Sequence, residues 1–137
     1  MTELKDKVSA RLVENETLVC IHNVRYYDGD DMGGILYFDI ECLDWLIEQV
    51  SAWLEGYRKV EETNSYKDWP ERTQRSFSND DLRVKESGRE PRIHLAISNH
   101  RNEHALHGGV TVEAMDPDVG ADLLLELKSV REVIRPK

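Results

Sequence analysis

Two stretches of the chain carry apolar residues at steps of three and four, the spacing of one face of a helix. The first, residues 41–60, has a continuous apolar stripe from Leu43 to Tyr57. The second, residues 116–134, has a stripe that ends at Ile134, and it opens with Asp116 and Pro117, a favoured N-cap and a favoured first helical residue. We expect two amphipathic helices, each with one face against a core.

Three strand-like runs precede each helix. They are KVSARLV, TLVCIHNV and GGILYFDI before the first, and DLRVKE, RIHLAIS and GGVTVEAM before the second. An Ile-His pair and a Gly-Gly pair recur at matching places, so we interpret the chain as a βββα unit that occurs twice, in residues 7–62 and 81–137. This order predicts a single α+β domain, a two-layer sandwich whose mostly antiparallel sheet of about six strands carries both helices on one face.

A polar segment, residues 63–80, joins the two predicted units. Pro70 interrupts it, and its large apolar residues besides Tyr66 are Trp69 and Phe77. These two side chains either fix the linker to the core or contact a partner; an exposed Trp is costly without a use, and we name Trp69 as a candidate partner-binding residue.

The third predicted strand, ILYFDI, is apolar on both faces. Ile35 and Tyr37 share one face, and Leu36, Phe38 and Ile40 share the other. An antiparallel sheet with one wet face normally alternates apolar and polar residues, so we expect the second face to be covered. Either the linker or a second copy of the chain covers it, and we favour a homodimer through Leu36, Phe38 and Ile40.

The segment NHRNEHALHGG contains His-x-x-Glu-His, from His100 to His104, a zinc-peptidase spacing when it lies on a helix. Here it falls between two predicted strands, and at most two helical turns would fit. We therefore expect a solvated loop and no metal or other cofactor.

Two other sets of polar residues are candidates for binding. His22 and His94 follow the matching isoleucines, so we expect them on the uncovered sheet face, as a possible ligand surface. Asp28, Asp30 and Asp31 crowd a short connection, where a solvated acidic turn or a partner-docking surface is more plausible than a cation site, because the calcium-loop pattern is absent.

Charge narrows the class of partner. The net charge is −9, and residues 1–62 contribute −8 of it, with 14 Asp and Glu against 6 Lys and Arg. Such a field repels phosphate backbones and attracts cationic proteins, so we expect no nucleic acid and a basic protein partner. No run is long enough to span a membrane and no secretory signal is visible. The two cysteines, Cys20 and Cys42, do not have a metal-binding spacing. With no secretory signal, we therefore expect a cytoplasmic protein whose thiols are free.

No nucleotide loop, nucleophile elbow or metal-ligand set is present in the sequence. We therefore expect a small, acidic, non-catalytic binding protein that docks or neutralises a basic partner, as bacterial immunity proteins and similar inhibitors do; the comparison is one of size and composition. Two alternatives stay open. One is an assembly or chaperone-type subunit acting through the apolar sheet face, and the other is a small ligand-binding enzyme that uses His22 and His94.

Overall fold

The fold is α+β, with antiparallel strands and two helices. In this computed structural model the described residues are 7–13, 15–27, 30–65, 67, 71–87, 94–102, 109–115 and 117–134. Within these ranges, residues 7, 24–27, 30–33, 86–87, 94 and 109–115 are described by their backbone alone.

The first sheet contains the first three strands in sequence order. They are β1 (Lys7–Val13), β2 (Leu18–Tyr27) and β3 (Asp30–Asp39), joined by antiparallel pairing. Asn15 and Glu16 both have positive φ, at 56° and 66°, in the turn that joins β1 to β2. Asn15 is a residue type that tolerates this backbone conformation, which a tight turn between two strands requires.

The second sheet has the order β4-β5-β6-β7. Its strands are β4 (Thr73–Ser76), β5 (Asp81–Ser87), β6 (His94–Arg101) and β7 (Gly109–Met115), all antiparallel to their neighbours. Six of the seven described strands were predicted; β4 was not, because it lies inside the expected linker. The strands form two separately hydrogen-bonded sheets rather than one, although β3 lies against β6 and β7.

Each helix follows the third strand of its predicted unit. A 3-10 turn, η1 (Ile40–Cys42), leads into α1 (Leu43–Thr63), and α2 (Pro117–Val133) follows β7. Asn64 ends α1 in the left-handed conformation, and its N–H donates to the carbonyl of Val60 at 2.8 Å. The order of three strands and a helix thus recurs as expected, with β4 as an addition. None of the described helices is long and apolar enough to cross a membrane.

Side chains from both sheets and both helices meet in one core. Its fully buried members include Ile21 of β2, Leu46 of α1, Ile97 of β6 and Leu127 of α2. The helices contact each other, and α2 lies against β1, at the far end of the first sheet from the second. Each helix therefore does not simply cover its own unit: the two predicted units share the core.

The expectation for the third strand was wrong about its faces. Leu36 and Phe38 are fully buried in the shared core, and Ile40 packs against it, whereas Ile35 remains 43% exposed. The reason is register: Leu36 lies opposite Ile21 and Phe38 opposite Val19, and directly paired residues of antiparallel strands share a face. Leu36 and Phe38 are therefore not available to a second copy. The homodimer itself stays a prediction, without a face assigned to it.

Part of the linker is fixed to the core, as one of the two interpretations of Phe77 required. The Phe77 ring meets the Trp45 ring edge-on at 6.0 Å, and the guanidinium of Arg75 lies 4.7 Å above the Phe77 ring. Trp45 lies off the main stripe of α1, and this contact accounts for its partial burial. Trp69 lies outside the described residues.

Candidate functional site

A buried polar cluster joins the ends of three segments of the chain. It consists of Asp39 at the end of β3, Asp80 just before β5, and Asn99 and Arg101 at the end of β6. The side chains of Asp80 and Arg101 are 0% and 2% exposed, and that of Asp39 is 22% exposed. Buried charges persist in a fold only when they are paired, so the contacts inside this cluster decide what it can do.

Arg101 pairs with both carboxylates. Its Nη2 donates to Oδ1 of Asp39 at 2.8 Å, and its Nε lies 3.1 Å from Oδ1 of Asp80, an ion-pair distance without the angle of a hydrogen bond. Asn99 completes the cluster: its Nδ2 donates to Oδ1 of Asp80 at 2.7 Å and to the carbonyl of Tyr37 at 2.6 Å. The cluster therefore ties β3 of the first sheet to β6 of the second.

The same cluster makes Cys42 chemically quiet. Burial raises the pKa of the Cys42 thiol well above its usual range, and the nearby Asp80 carboxylate raises it further. The Sγ lies 3.5 Å from Oδ2 of Asp80, to which the thiol donates. A thiolate is the reactive form of cysteine, so Cys42 is a structural residue and not a nucleophile.

The cluster also fixes η1, the turn that starts the first helix. The Asp39 N–H donates to Oδ2 of Asp80 at 3.1 Å, and the Ile40 N–H donates to the carbonyl of Thr17 at 3.1 Å. Glu41 accepts a hydrogen bond from the Ser78 N–H at 3.3 Å. These hydrogen bonds fix the backbone of Asp39 and Ile40, the residues just before Glu41, which is exposed in the same turn.

A groove of about 350 Å³ opens beside this turn. It lies where α1 begins and α2 ends, and we call it the helix-end groove. Its lining residues are Ile40, Glu41, Leu43, Asp44, Arg131 and Ile134. Its volume lies within the range of ligand and side-chain pockets, and it combines an apolar floor with two carboxylates at the rim.

One cation of the chain already binds at this rim. The Nε of Arg131 donates to Oδ1 of Asp44 at 2.7 Å, with the two side chains 44% and 72% exposed. A pair this exposed contributes about 0–1 kcal/mol to stability, because solvent screens it and both side chains lose freedom. A competing cation could therefore displace Arg131 at little cost.

The groove lies at one end of a larger acidic surface. Among the described residues of η1 and α1, six exposed residues are acidic and two are basic; on α2, three are acidic and two are basic. We call these nine acidic residues the acidic helix surface: Glu41, Asp44, Glu48, Glu55, Glu61, Glu62, Asp118, Asp122 and Glu132. Glu48, Glu55 and Glu62 repeat every seven residues, two turns of helix, and so form a line along α1. The exposed charges of the helices sum to −5, from nine negative and four positive side chains.

Basic residues of α1 itself reduce this charge only near its end, whereas at its start Arg131 of α2 pairs with Asp44. Arg58 pairs with Glu55 at 2.6 Å and also with Glu62, in the i,i+3 and i,i+4 positions. Glu48 has no such basic neighbour three or four residues away on the helix: those positions hold Trp45, Asp44, Ser51 and Ala52. The first half of α1 is therefore the more strongly negative part of the surface.

The predicted histidine surface is only partly described. His22 is exposed in β2, opposite Ser9 of β1 and Ile35 of β3. His94 is the first residue of β6 and pairs with Ser87, and its side chain is outside the described part. The two histidines lie in different hydrogen-bonded sheets. Neither of the residues that pair with His22 in the strand register is acidic, and its role as a ligand surface stays a prediction.

The acidic connection is also placed differently from the prediction. Asp30 and Asp31 belong to β3, where they pair with Tyr27 and Tyr26 of β2. Their side chains, and Asp28 and Trp69 altogether, lie outside the described part of the chain. These four residues stay predicted partner contacts.

The histidine motif begins inside a strand. β6 continues to Arg101, beyond the expected end near Ser98, so that His100 is an exposed strand residue opposite Val110. A His-x-x-Glu-His zinc site needs its first histidine on a helix, and His100 does not meet that requirement. Over the described residues, no group of three His, Cys, Asp or Glu side chains is placed to hold a metal ion. His104 lies outside them.

No protein-family model matches the chain, and no curated protein matches it either.

Proposed function

We propose that this chain is a non-catalytic binding protein that docks a basic protein partner through its acidic helix surface. The observation that supports it is the excess of five negative charges on the exposed side chains of η1 and the two helices. Charge of one sign spread over one layer of a small protein speeds the encounter with an oppositely charged partner and orients it.

The role of the buried groups is consistent with this proposal. Arg101, Asp39 and Asp80 are engaged with each other, and the Cys42 thiol is held in its unreactive form. These buried polar groups hold the two sheets together. The exposed carboxylates of the helices, in contrast, are accessible to a partner.

The chain offers two acidic regions, and a matched pair of variants separates them. Glu48→Gln, Glu55→Gln and Glu62→Gln remove three charges from α1. Asp28→Asn, Asp30→Asn and Asp31→Asn remove three from residues 28–31, and we call this second protein the β3 variant, because Asp30 and Asp31 begin β3. Each tagged triple variant and the wild type are used to co-purify proteins from cells of the source organism, and the captured proteins are identified by mass spectrometry.

We expect the wild type to retain a basic protein in stoichiometric amount, and we expect the α1 variant to lose it at moderate salt. The β3 variant tests the region that the sequence favoured. Loss of the partner in the β3 variant alone would move the docking surface to Asp28, Asp30 and Asp31. A stoichiometric partner that is acidic, or retention unaffected by either variant, would contradict the charge-based proposal.

A further inference from the structure

We infer that the helix-end groove receives an arginine side chain of the partner, which replaces Arg131 on Asp44. This inference rests on the proposed function and adds to it the anchoring contact and the competing residue. The reasons are the shape of the groove, the charges around it and the contact that Arg131 already makes.

The groove has two parts that suit the two parts of an arginine. Ile40, Leu43 and Ile134 supply apolar surface, which suits the aliphatic stem. Glu41 and Asp44 line the same groove with carboxylates, which suit the guanidinium. The carboxylates accept hydrogen bonds only, and a planar guanidinium offers five donors in a fixed fork.

The end of α2 adds to the attraction. The last carbonyls of a helix carry a partial negative charge, and α2 ends at Val133, one residue before the groove residue Ile134. The start of α1 has the opposite sign, and Asp44 in its first turn offsets it. The two carboxylates and the end of α2 together outweigh Arg131 and the start of α1, so the groove still attracts a cation.

Arg131 shows that a guanidinium fits at this rim. It comes from the last turn of α2 and bonds Asp44 of α1, so it links the two helices across the groove. Because this side chain is 44% exposed, it can swing into solvent when a partner arginine arrives. Arg131 thus acts as an internal competitor that keeps the site occupied until a better-placed arginine displaces it.

The test uses small probes instead of a partner. Nα-acetyl-L-arginine amide is titrated into isotope-labelled protein, and the backbone amide shifts of Leu43, Asp44 and Ile134 are followed by NMR. Nα-acetyl-L-citrulline amide is the matched control, because it has nearly the same shape without the charge. We expect saturable shifts around the groove with the arginine probe and none with the citrulline probe.

Three variants assign the binding to the groove. Asp44→Asn should weaken the arginine probe about two- to fivefold, as expected for an exposed charge pair. Arg131→Ala should strengthen it by a similar factor, because the competitor is gone. Glu71→Gln removes one negative charge, as Asp44→Asn does, but from an exposed position outside the acidic helix surface, and the affinity should not change. All three positions are exposed. The chemical-shift dispersion of each variant's spectrum, compared with that of the wild type, checks that the variant folds.

The inference would be overturned if citrulline bound equally well, if Glu71→Gln weakened binding as much as Asp44→Asn, or if Arg131→Ala left the affinity unchanged. Failure here can be told apart from failure of the proposed function. If the arginine probe does not bind but the α1 triple variant loses its basic partner, the groove is wrong and the docking surface stands. If the probe binds as described but the triple variant keeps its partner, the groove stands and the wider surface is wrong.

Discussion

Asp80 and Asp81 are neighbours in sequence with opposite environments. The Asp80 side chain is fully buried beside Arg101, whereas Asp81 is 29% exposed and lies 3.8 Å from Arg83. Asp80→Asn should lower the free energy of unfolding by about 3–5 kcal/mol, because the buried Arg101 loses one of its two carboxylate partners and keeps only the partly exposed Asp39.

The matched change Asp81→Asn should cost about 0–1 kcal/mol, as a partly solvated pair does. Urea denaturation of both variants measures the difference. Equal costs would mean that Arg101 finds sufficient compensation from Asp39 alone.

Cys42 provides a pH-dependent test at the same joint. Its pKa is raised in the fold by burial and by Asp80, from a reference value of 9.0. Above pH 9 the unfolded chain loses this proton and the folded chain keeps it, so the free energy of unfolding falls as pH rises. Between pH 8 and pH 10 the wild type should lose about 1.4 kcal/mol more than Cys42→Ala, which has no thiol to titrate at this position. Parallel curves for the two proteins would show that the thiol is not held neutral.

The buried polar cluster was not predicted from the sequence, although part of its signal is present there. Leu95 and Ile97 face the core, and Asn99 and Arg101 continue the same alternation. The predicted strand ended near Ser98 because the residues after it are polar. The sequence around Asn99 and Arg101 does not show that Asp80 lies beside them in the fold. That information is in the fold: the pairing joins residues about twenty positions apart.

Among the elements, the strands and helices with clear periodicity were predicted to within a few residues. β4, with the sequence TQRS, was missed because it has no apolar alternation and exists through its pairing with β5. The faces of β3 were exchanged because both are apolar, and the choice depends on register with β2. The pattern of apolar residues therefore predicts that a strand is present more reliably than it predicts which face of that strand is buried.

Gly120 allows a test of how α2 packs. A Cβ at this buried helical position would lie 3.4 Å from Cδ2 of Leu95 and 3.6 Å from Cδ2 of Leu54, which are ordinary contact distances. Gly120→Ala should therefore raise the free energy of unfolding by about 0.5–1 kcal/mol, because alanine restricts the unfolded chain and favours the helix. Thermal and urea unfolding measure it. A lower free energy of unfolding would mean that the added methyl group does not fit against Leu95 at this distance.

At the scale of the whole molecule, the shared core predicts cooperative unfolding. Leu127 of α2 is fully buried in the same cluster as Ile21 of β2 and Leu46 of α1. Leu127→Ala should lower the free energy of unfolding by about 2–5 kcal/mol, the usual cost of such a cavity, and the protein should still unfold in a single transition. Calorimetry would contradict the shared core if it showed two transitions with only one of them shifted.

The charge distribution is the other property of the whole molecule. The sequence showed that the first half of the chain is acidic, but not that the helices expose most of the described acidic side chains. Spacing offered a partial signal, because Glu48, Glu55 and Glu62 repeat with the period of two helical turns. The groove could not be foreseen, since it needs the start of α1 and the end of α2 side by side.

The most direct test of the docking surface is the rate at which the co-purified basic partner associates with the chain at low and at high salt. Stopped-flow measurements compare the wild type with the two triple variants, at positions 48, 55 and 62 and at positions 28, 30 and 31. Electrostatic steering acts over a Debye length of about 8 Å at physiological salt, so it is strongest when salt is low. We predict that the α1 variant associates more slowly at low salt and shows a flatter salt dependence, while its dissociation rate changes less. An association rate that is the same in the wild type and the α1 variant at every salt concentration would contradict docking through the acidic helix surface.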